Sequence, residues 1–261
     1  MRDKMEYAEI QGEKVPVIGF GTYKLKGNSC KKSVVDALNI GYRHIDTAQI
    51  YGNEEEVGKA IQEADVEREE IFLTTKVWKT NLGQDDVLSS VDRSLNKLKA
   101  DYVDLLLIHW PVEDVPLEET LEAMDGLRSS GKVRNLGVSN FDVGLLEEAQ
   151  ELSKYPIFTD QVKYNPFEPQ KQLTRYCSKN DVLLTAYTPL AKGRVARDRT
   201  LQEIGEKHGK TAAQVALRWL IQQDKVIAIP KAAGGDHRSE NFDVFDFELS
   251  KDEMEEIFDL S

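Results

Sequence analysis

The chain carries four side chains whose types and positions could together protonate a substrate oxygen. Asp46 ends the stretch YRHID, Lys76 lies in IFLTTKV, and His109 directly follows VDLLLI. Tyr51 comes five positions after Asp46, in a loop. An aspartate and a lysine that lose hydration at the ends of neighbouring buried strands must find partners, so we expect Asp46 and Lys76 to form an ion pair.

These four side chains favour the chemistry of carbonyl reduction. A tyrosine is a weak acid with an unperturbed pKa of about 10, and we expect the ammonium of Lys76 to lower the pKa of Tyr51. Asp46 would keep Lys76 charged and in place, and His109 would direct a hydrogen bond at a carbonyl oxygen. Such a group can stabilise and protonate an oxygen that becomes an alkoxide, as hydride transfer to a carbonyl requires.

Strands and helices alternate along the chain, and this order predicts how the four side chains converge. Apolar runs typical of buried strands occupy residues 15–20, 42–45, 70–77, 103–108, 133–138, 158–162, 182–187 and 226–229. Amphipathic helices are predicted at residues 29–40, 54–63, 85–98, 117–130, 143–152, 170–179, 211–222 and 237–244, with further ones at 201–207 and 251–260. Eight such units in 261 residues favour an α/β fold, the TIM (β/α)8 barrel, whose active sites lie at the carboxyl ends of the strands.

Some features of the sequence have a structural interpretation only. We expect one barrel domain over residues 1–261, with extra short helices, and a β-hairpin at residues 5–14 that plugs one end of the barrel. Asn53, followed by Glu56 three positions later, resembles a capping box at the start of helix 54–63. His44 is interpreted as a structural residue of the core.

Composition excludes several classes of function. The formal net charge of −12 argues against a partner that is nucleic acid. The two cysteines form no CxxC motif or Cys/His cluster, so no metal site is predicted. The first residues include no apolar signal region, and no run approaches the roughly 18 apolar residues that span a bilayer. We therefore expect a cytoplasmic protein with no membrane partner.

Eight short motifs stand in an order and spacing that resemble one known family. They are GFGTYKL, GYRHIDTAQIYGNE, KVW, LLLIHWP, GVSNF, QVKYNP, AYTPLAKG and the pair IPKA and ENFDVFDFEL. Along almost its whole length the sequence resembles the aldo-keto reductase superfamily, in the short form of the prokaryotic diketo-gluconate and methylglyoxal reductases. The resemblance implies a catalytic tetrad of Asp46, Tyr51, Lys76 and His109, with Tyr51 as the general acid. It also implies a nicotinamide cofactor bound without a Rossmann domain, and no GxGxxG motif opens a βαβ unit here.

The resemblance further implies which residues hold the cofactor. The implied positions are Gly21, Thr22, Asp46, Ser139, Asn140, Gln161, Tyr187, Thr188, Leu190, Lys231, Ala232, His237, Glu240 and Asn241. Lys231 would meet a 2′-phosphate, which favours NADPH. Ala232 stands where many members have Ser or Thr, and His237 where many have Arg, so some use of NADH is also expected.

The substrate is expected to be a small carbonyl compound. The resemblance implies that Tyr23, Trp78 and Trp110 line its pocket beside His109. Short loops around this pocket predict an open site that tolerates small aldehydes, α-dicarbonyls and sugar-derived ketones. A monomer is expected, since monomers are common in the family.

Two other classes of function are compatible with the same fold. The barrel could be a cofactor-binding subunit without catalytic activity, since a fold does not fix a function. A barrel hydrolase or isomerase acting through carboxylates would need a second strand-end acid near Asp46, and the predicted strand ends supply none.

Overall fold

The computed structural model describes residues 5–261, which form a β-barrel surrounded by helices. Within these residues the strands are β1 Tyr7–Ile10, β2 Glu13–Pro16, β3 Phe20–Gly21, β4 His44–Asp46, β5 Phe72–Val77, β6 Val103–Ile108, β7 Val133–Ser139, β8 Ile157–Lys163, β9 Leu183–Tyr187 and β10 Val226–Ala228. The α-helices are α1 Gly27–Ile40, α2 Glu54–Glu63, α3 Gln84–Leu98, α4 Leu117–Ser129, α5 Val143–Leu152, α6 Lys171–Lys179, α7 Arg199–His208, α8 Ala212–Ile221, α9 Gly235–Phe242 and α10 Lys251–Phe258. Short 3-10 helices lie at Gln49–Tyr51, Arg68–Glu70, Lys79–Asn81 and Ala191–Arg197.

Eight parallel strands, β3 to β10, pair in sequence order and close on themselves. The closure is made by the segment before β3: Ile18 bridges Ala228, and Gly19 donates its backbone N–H to the carbonyl of Ala228 at 2.8 Å. A Cβ on Gly19 would lie 2.7 Å from Nδ1 of His44, so only glycine allows this approach. The predicted TIM barrel is confirmed, and its strands are buried because helices cover the outside while side chains fill the inside.

The N-terminal hairpin covers the end of the barrel where the strands begin. Strands β1 and β2 pair antiparallel around Gln11 and Gly12, which both have positive φ as a type I′ turn requires. The Gln11 side chain donates to the carbonyl of Ile157 at 3.1 Å, and Glu13 accepts from the Asn135 side chain at 2.9 Å. The predicted hairpin plug is confirmed, and it leaves the opposite end of the barrel open.

Two local predictions differ from the structure. The apolar run at residues 15–20 is shared by two sheets: Val15 pairs with Ala8 in the hairpin, whereas Phe20 pairs with Ile45 in the barrel. Asn53 precedes α2 as predicted but does not cap it. Its side chain is buried and donates to the carbonyls of Thr22 and Leu25 at 3.0 and 3.1 Å, so the capping-box interpretation was wrong.

Candidate active site

Asp46 and Lys76 form a buried ion pair where β4 and β5 end. Lys76 Nζ lies 2.6 Å from Asp46 Oδ1 and also donates to the carbonyl of Thr47 at 2.9 Å. The second carboxylate oxygen of Asp46 accepts from Nε2 of Gln161 at 2.8 Å. Because each charge has an oppositely charged partner and a further hydrogen bond, the pair is tolerated in a dry environment. The predicted pairing of Asp46 with Lys76 is confirmed.

Tyr51 lies at the end of the 3-10 helix Gln49–Tyr51, directly above this pair. Its hydroxyl oxygen is 3.5 Å from Nζ of Lys76. The ammonium of Lys26 donates to the backbone carbonyl of Tyr51 and holds the end of the short helix. The phenol and the amine therefore face each other at the open end of the barrel.

The electrostatics of Tyr51 differ from the sequence-based expectation. Burial, and then the charge of Asp46, raise the pKa of the Tyr51 hydroxyl well above its ordinary value of 10. Burial lowers the pKa of Lys76, and Asp46 opposes that shift. Both influences act against the phenolate, because burial removes its hydration and the Asp46 carboxylate repels its charge. The expected lowering of the Tyr51 pKa was wrong, and the hydroxyl stays protonated and available as a donor.

His109 follows β6 and completes the group. Its ring packs edge-on against Tyr51 and Trp78, with centroid distances of 5.6 and 5.2 Å. Burial, followed by the charge of Lys76, lowers the pKa of His109 to about 3. The imidazole is therefore neutral near pH 7 and can direct one N–H at a substrate oxygen without adding a charge.

A single cavity of about 1600 Å³ extends from these residues across the open end of the barrel. At one end it is lined by aromatic side chains that are largely exposed, Tyr23 at 55% and Trp110 at 43%, together with Trp78. Tyr51 and His109 lie on its floor, while Lys76 lies beneath Tyr51 and does not line it. This end is apolar with a few directing polar groups, as small-molecule sites are. The predicted substrate-binding residues are thus brought together.

Four of the positions that the resemblance implies for the cofactor, Ser139, Asn140, Gln161 and Tyr187, lie side by side next to the tetrad. The Tyr187 hydroxyl donates to Asn140 Oδ1 at 2.8 Å, and Asn140 Nδ2 donates to Oγ of Ser139 at 3.0 Å. Ser139 in turn donates to the backbone carbonyl of Gln161 at 2.7 Å. Amide and hydroxyl groups of this kind can exchange partners with a ligand amide, and the Tyr187 ring lines the same wall of the cavity.

The backbone around this wall is strained. Asn140 and Thr188 have positive φ values of 64° and 54°, and Lys192 has 54°, although none of them is glycine. All three line the cavity. Non-glycine residues in the left-handed region cluster where a ligand must be held in one position, and here Thr188 and Lys192 shape the loop that carries Leu190.

The far end of the cavity is lined by the residues predicted to hold the remainder of a dinucleotide. They are Lys231, Ala232, His237, Glu240 and Asn241. The Lys231 side chain is exposed and makes no ion pair with another described residue, so its ammonium is free to meet an anion. A Cβ on Gly21 would lie 2.9 Å from the carbonyl of Ile229, so the glycine lets the two cavity walls approach closely. The cavity's volume of about 1600 Å³, its wall of amide and hydroxyl groups and the exposed cation at its far end fit a nicotinamide dinucleotide.

Two residues take positions that the sequence did not indicate. Thr22, predicted to lie beside the cofactor, does not line the cavity, because its hydroxyl donates to the Asp46 carbonyl at 3.0 Å and its side chain is fully buried. Arg238 also points away and ties α9 to α1 through Asp36 at 2.7 Å. It donates to the carbonyls of Ala232 and Ala233 at 3.2 and 2.8 Å and thereby fixes the loop after Lys231.

Sequence reasoning missed a set of residues at the far end of the cavity. Gln202, Glu206, Lys210, Thr211, Ala212 and Ala213 line it, from α7, α8 and the turn between them. The Thr211 hydroxyl donates to Glu240 Oε1 at 2.5 Å and so joins this set to the predicted one. The capping box of Thr211 and Gln214 could be found in the sequence, but its approach to Glu240 depends on the packing of α8 against α9.

Asp160 is a buried acid near the site that the sequence did not single out. It lies on β8 between Val138 and Leu184, does not line the cavity, and has the backbone N–H of Phe141 as a nearby donor. Burial raises its pKa well above the ordinary 3.8; the hydrogen bond from the Phe141 backbone opposes that shift, and nearby Asp142 adds to it. Burial therefore favours the protonated form of this carboxyl over the carboxylate.

We expect Asp160→Asn to raise the Tm at neutral and alkaline pH. A raised pKa means that the stability from protonated Asp160 is complete below the unfolded pKa of about 3.9 and is lost as pH rises toward the folded value. Asparagine is neutral at every pH, so the gain should grow with pH, and each gain of about 1 kcal/mol should raise Tm by roughly 2–4 °C. Thermal unfolding across a pH series measures this. Glu148→Gln, at an exposed position on α5, is the control, and a gain independent of pH would contradict the assignment.

Among residues 5–261, no group of three His, Cys, Asp or Glu side chains is arranged to hold a metal ion. In the same residues, no helix has the length and apolar character needed to span a membrane.

Comparison with known proteins places these features in one family. The model of the aldo/keto reductase family matches residues 17–261. The glyoxal reductase of Bacillus subtilis (strain 168) is 43% identical over 247 residues, which cover 94% of this chain and 89% of that protein. The thermostable aldo-keto reductase Tm1743, solved with the inhibitor epalrestat, has a TM-score of 0.93 at 42% identity, over 98% of this chain and 100% of that one. A mutant of Gox0644 solved with NADPH has a TM-score of 0.92 at 35% identity, over 98% and 93% of the two chains.

Proposed function

Because the chain belongs to the aldo/keto reductase family, we propose that it reduces small aldehydes and ketones with NADPH and that Tyr51 supplies the proton. The protein is an oxidoreductase that acts on carbonyl groups with a nicotinamide cofactor, as its family and its glyoxal reductase relative are. The observation that carries the proposed role of Tyr51 is its 3.5 Å contact with Lys76 above the buried pair, on the floor of the cavity. The alternative of a cofactor-binding barrel without catalytic activity gains no support, since Asp46, Tyr51, Lys76 and His109 converge in the structure.

The proposed mechanism assigns one task to each side chain. When bound, the reduced nicotinamide supplies the hydride. His109 donates a hydrogen bond to the substrate oxygen and fixes its position beside the Tyr51 hydroxyl. As negative charge develops on that oxygen, Tyr51 gives up its proton, because an alkoxide is a far stronger base than a phenolate. Lys76 stabilises the phenolate that remains, and Asp46 holds Lys76 in its charged form.

The raised pKa of Tyr51 is compatible with this role. A phenol that stays protonated at rest keeps its proton until the substrate oxygen becomes basic. Lys76 can stabilise the phenolate when it forms, because its ammonium is 3.5 Å from the hydroxyl oxygen. The Asp46 carboxylate is held by its bonds to Lys76 and Gln161. Tyr51 therefore becomes able to give up its proton only as negative charge builds up on the substrate oxygen.

The proposed preference for NADPH rests on Lys231. Its exposed ammonium lines the far end of the cavity and can pair with a 2′-phosphate. The Gox0644 mutant solved with NADPH gives this preference further support. Ala232 offers no hydroxyl to such a phosphate, and His237 is paired with Glu240 at 3.3 Å, so we propose that NADH is also accepted.

We expect Ala232→Ser to shift the preference toward NADPH. Ala232 is buried against the cavity next to Lys231, and a serine hydroxyl there could donate to a phosphate oxygen. One such hydrogen bond to a charged group contributes about 1.5–3 kcal/mol, so the ratio of kcat/KM with NADPH to that with NADH should rise roughly tenfold or more. Steady-state rates with both cofactors measure this ratio. Ala233→Ser is the control at the adjacent exposed position, and an equal shift in both variants would contradict a contact specific to residue 232.

The proposed substrates are small aldehydes and α-dicarbonyls. Tyr23 and Trp110 are exposed at the mouth of the cavity, so little of the chain restricts what enters. The glyoxal reductase relative agrees with this class. Oxidation of NADPH and of NADH across glyoxal, methylglyoxal, an aromatic aldehyde and a keto-sugar tests the proposal. Tight binding of either cofactor without turnover on any of these carbonyls would overturn it.

The assembly and the cellular location stay predictions. We propose a monomer with one domain over residues 1–261, located in the cytoplasm, as expected from the sequence.

A further inference from the structure

Gln49 joins three elements around the site by its side chain alone. Its Oε1 accepts from the backbone N–H of Trp78 at 3.0 Å and from the Asn81 side chain at 2.9 Å. Its Nε2 donates to Oγ of Ser94, on α3, at 3.3 Å. Gln49 begins the 3-10 helix that ends with Tyr51, so one amide links the helix of the proton donor to the loop after β5.

The 3-10 helix of Tyr51 and the loop after β5 also meet inside the cavity, because both contact the ring of His109. The His109 ring is packed edge-on between Tyr51 and Trp78, at centroid distances of 5.6 and 5.2 Å. Ring contacts of this kind favour an edge-on arrangement but place no hydrogen bond between the two elements. Gln49 connects the backbones behind those rings with directional hydrogen bonds. The spacing between the proton donor and the aromatic wall is thus constrained by hydrogen bonds at Gln49.

The contacts of Gln49 with Trp78 and Asn81 require a hydrogen-bond acceptor at position 49. Both partners of Oε1 are N–H donors, and the backbone N–H of Trp78 cannot act otherwise. A side chain of similar length without an oxygen would leave that N–H without its partner, which weakens the hold on residues 78–81. The bond to Ser94 is longer and concerns α3 only.

We propose that Gln49 is a positioning residue that sets the distance between the proton donor Tyr51 and the substrate-packing wall at Trp78. The inference rests on the proposed function, because it takes Tyr51 as the donor and Trp78 as a substrate contact. Gln49 itself does not line the main cavity and acts through the residues that do. Its effect should therefore fall on the substrate and spare the cofactor, which is proposed to bind along the opposite side of the cavity.

Three variants test the inference. Gln49→Met removes the acceptor at similar length, Gln49→Glu keeps an acceptor oxygen, and Ser94→Ala removes only the contact to α3. We expect Gln49→Met to speed hydrogen exchange of the Trp78 amide and to raise KM for an aromatic aldehyde by about threefold to tenfold. Affinity for NADPH should stay unchanged. Gln49→Glu and Ser94→Ala should keep both the amide protection and the low KM.

Two outcomes would overturn the inference. One is a Gln49→Met variant whose Trp78 amide exchange and KM equal those of the wild type. The other is a Ser94→Ala variant that changes both quantities as much as Gln49→Met does, since the contact with α3 would then be responsible. If the wild-type protein showed no turnover, the proposed function would be refuted instead. Hydrogen exchange of the Trp78 amide would still test whether Gln49 holds Trp78 in place.

Discussion

Replacing Tyr51 by phenylalanine should reduce kcat by about 100-fold to 10,000-fold, the range that a positioned general acid contributes. The hydroxyl lies 3.5 Å from Nζ of Lys76 on the cavity floor, and phenylalanine preserves the ring that packs against His109 and Tyr23. The cavity shape should therefore persist while the proton donor is lost. Single-turnover and steady-state rates of carbonyl reduction measure the effect, and a fluorescence titration with NADPH measures cofactor affinity, which should be nearly unchanged.

Tyr164→Phe is the matched control for that experiment. Tyr164 is also a buried tyrosine whose hydroxyl donates to a side chain, Gln223, but it lies outside the cavity. Its substitution should leave kcat close to the wild-type value. Wild-type turnover in Tyr51→Phe would remove Tyr51 from the mechanism, and an equal loss in Tyr164→Phe would mean that the loss follows from a general defect of the fold.

Replacing Lys76 by methionine should produce the largest loss of stability. The ion pair with Asp46 is buried at 2.6 Å, with side-chain exposures of 0% and 2% for Lys76 and Asp46. Methionine fills a similar volume but leaves the Asp46 carboxylate with Gln161 as its side-chain donor and the carbonyl of Thr47 without a side-chain donor. Breaking one side of a buried pair costs about 3–5 kcal/mol, because the remaining charge must stay in a dry environment or bind a proton. Urea unfolding measures the loss.

The double variant Asp46→Asn/Lys76→Met separates charge from packing. With both charges removed, the site holds only neutral groups, and most of the stability lost in Lys76→Met should return. Turnover should stay low in both variants, since neither can stabilise the phenolate at Tyr51. A double variant less stable than Lys76→Met would contradict the assignment of the loss to the unpaired carboxylate.

The sequence by itself determined the fold class and the residues that meet at the site. Alternating apolar runs and amphipathic helices are local signals, and eight of them in order allow few arrangements other than a closed parallel barrel. Since every parallel strand of a barrel ends on the same face, Asp46, Lys76 and His109 had to converge once their strand-end positions were known. Tyr51 was indicated by its place in the loop after Asp46, and the family resemblance added the cofactor positions, most of which line the cavity.

Local signals failed where one residue had two plausible partners. Asn53 has the sequence of a helix cap, yet its side chain is used to bind the carbonyls of Thr22 and Leu25, on a distant loop. The run at residues 15–20 is apolar throughout, so its pattern could not show that it serves two sheets. Tertiary contacts decided both cases, because the competing partners differ little in local energy.

Only the tertiary structure decided the electrostatics of the site and the hydrogen bonds that hold its residues in position. Whether Lys76 acidifies Tyr51 depends on where the charge of Asp46 lies, and Asp46 is held by Gln161, which is 115 positions away in the chain. The protonated state of Asp160 and the bridge made by Gln49 likewise depend on burial and on contacts between separate elements. Composition and periodicity report the local tendencies of a chain, whereas charge, desolvation and hydrogen bonding at a point in space depend on every element that packs there.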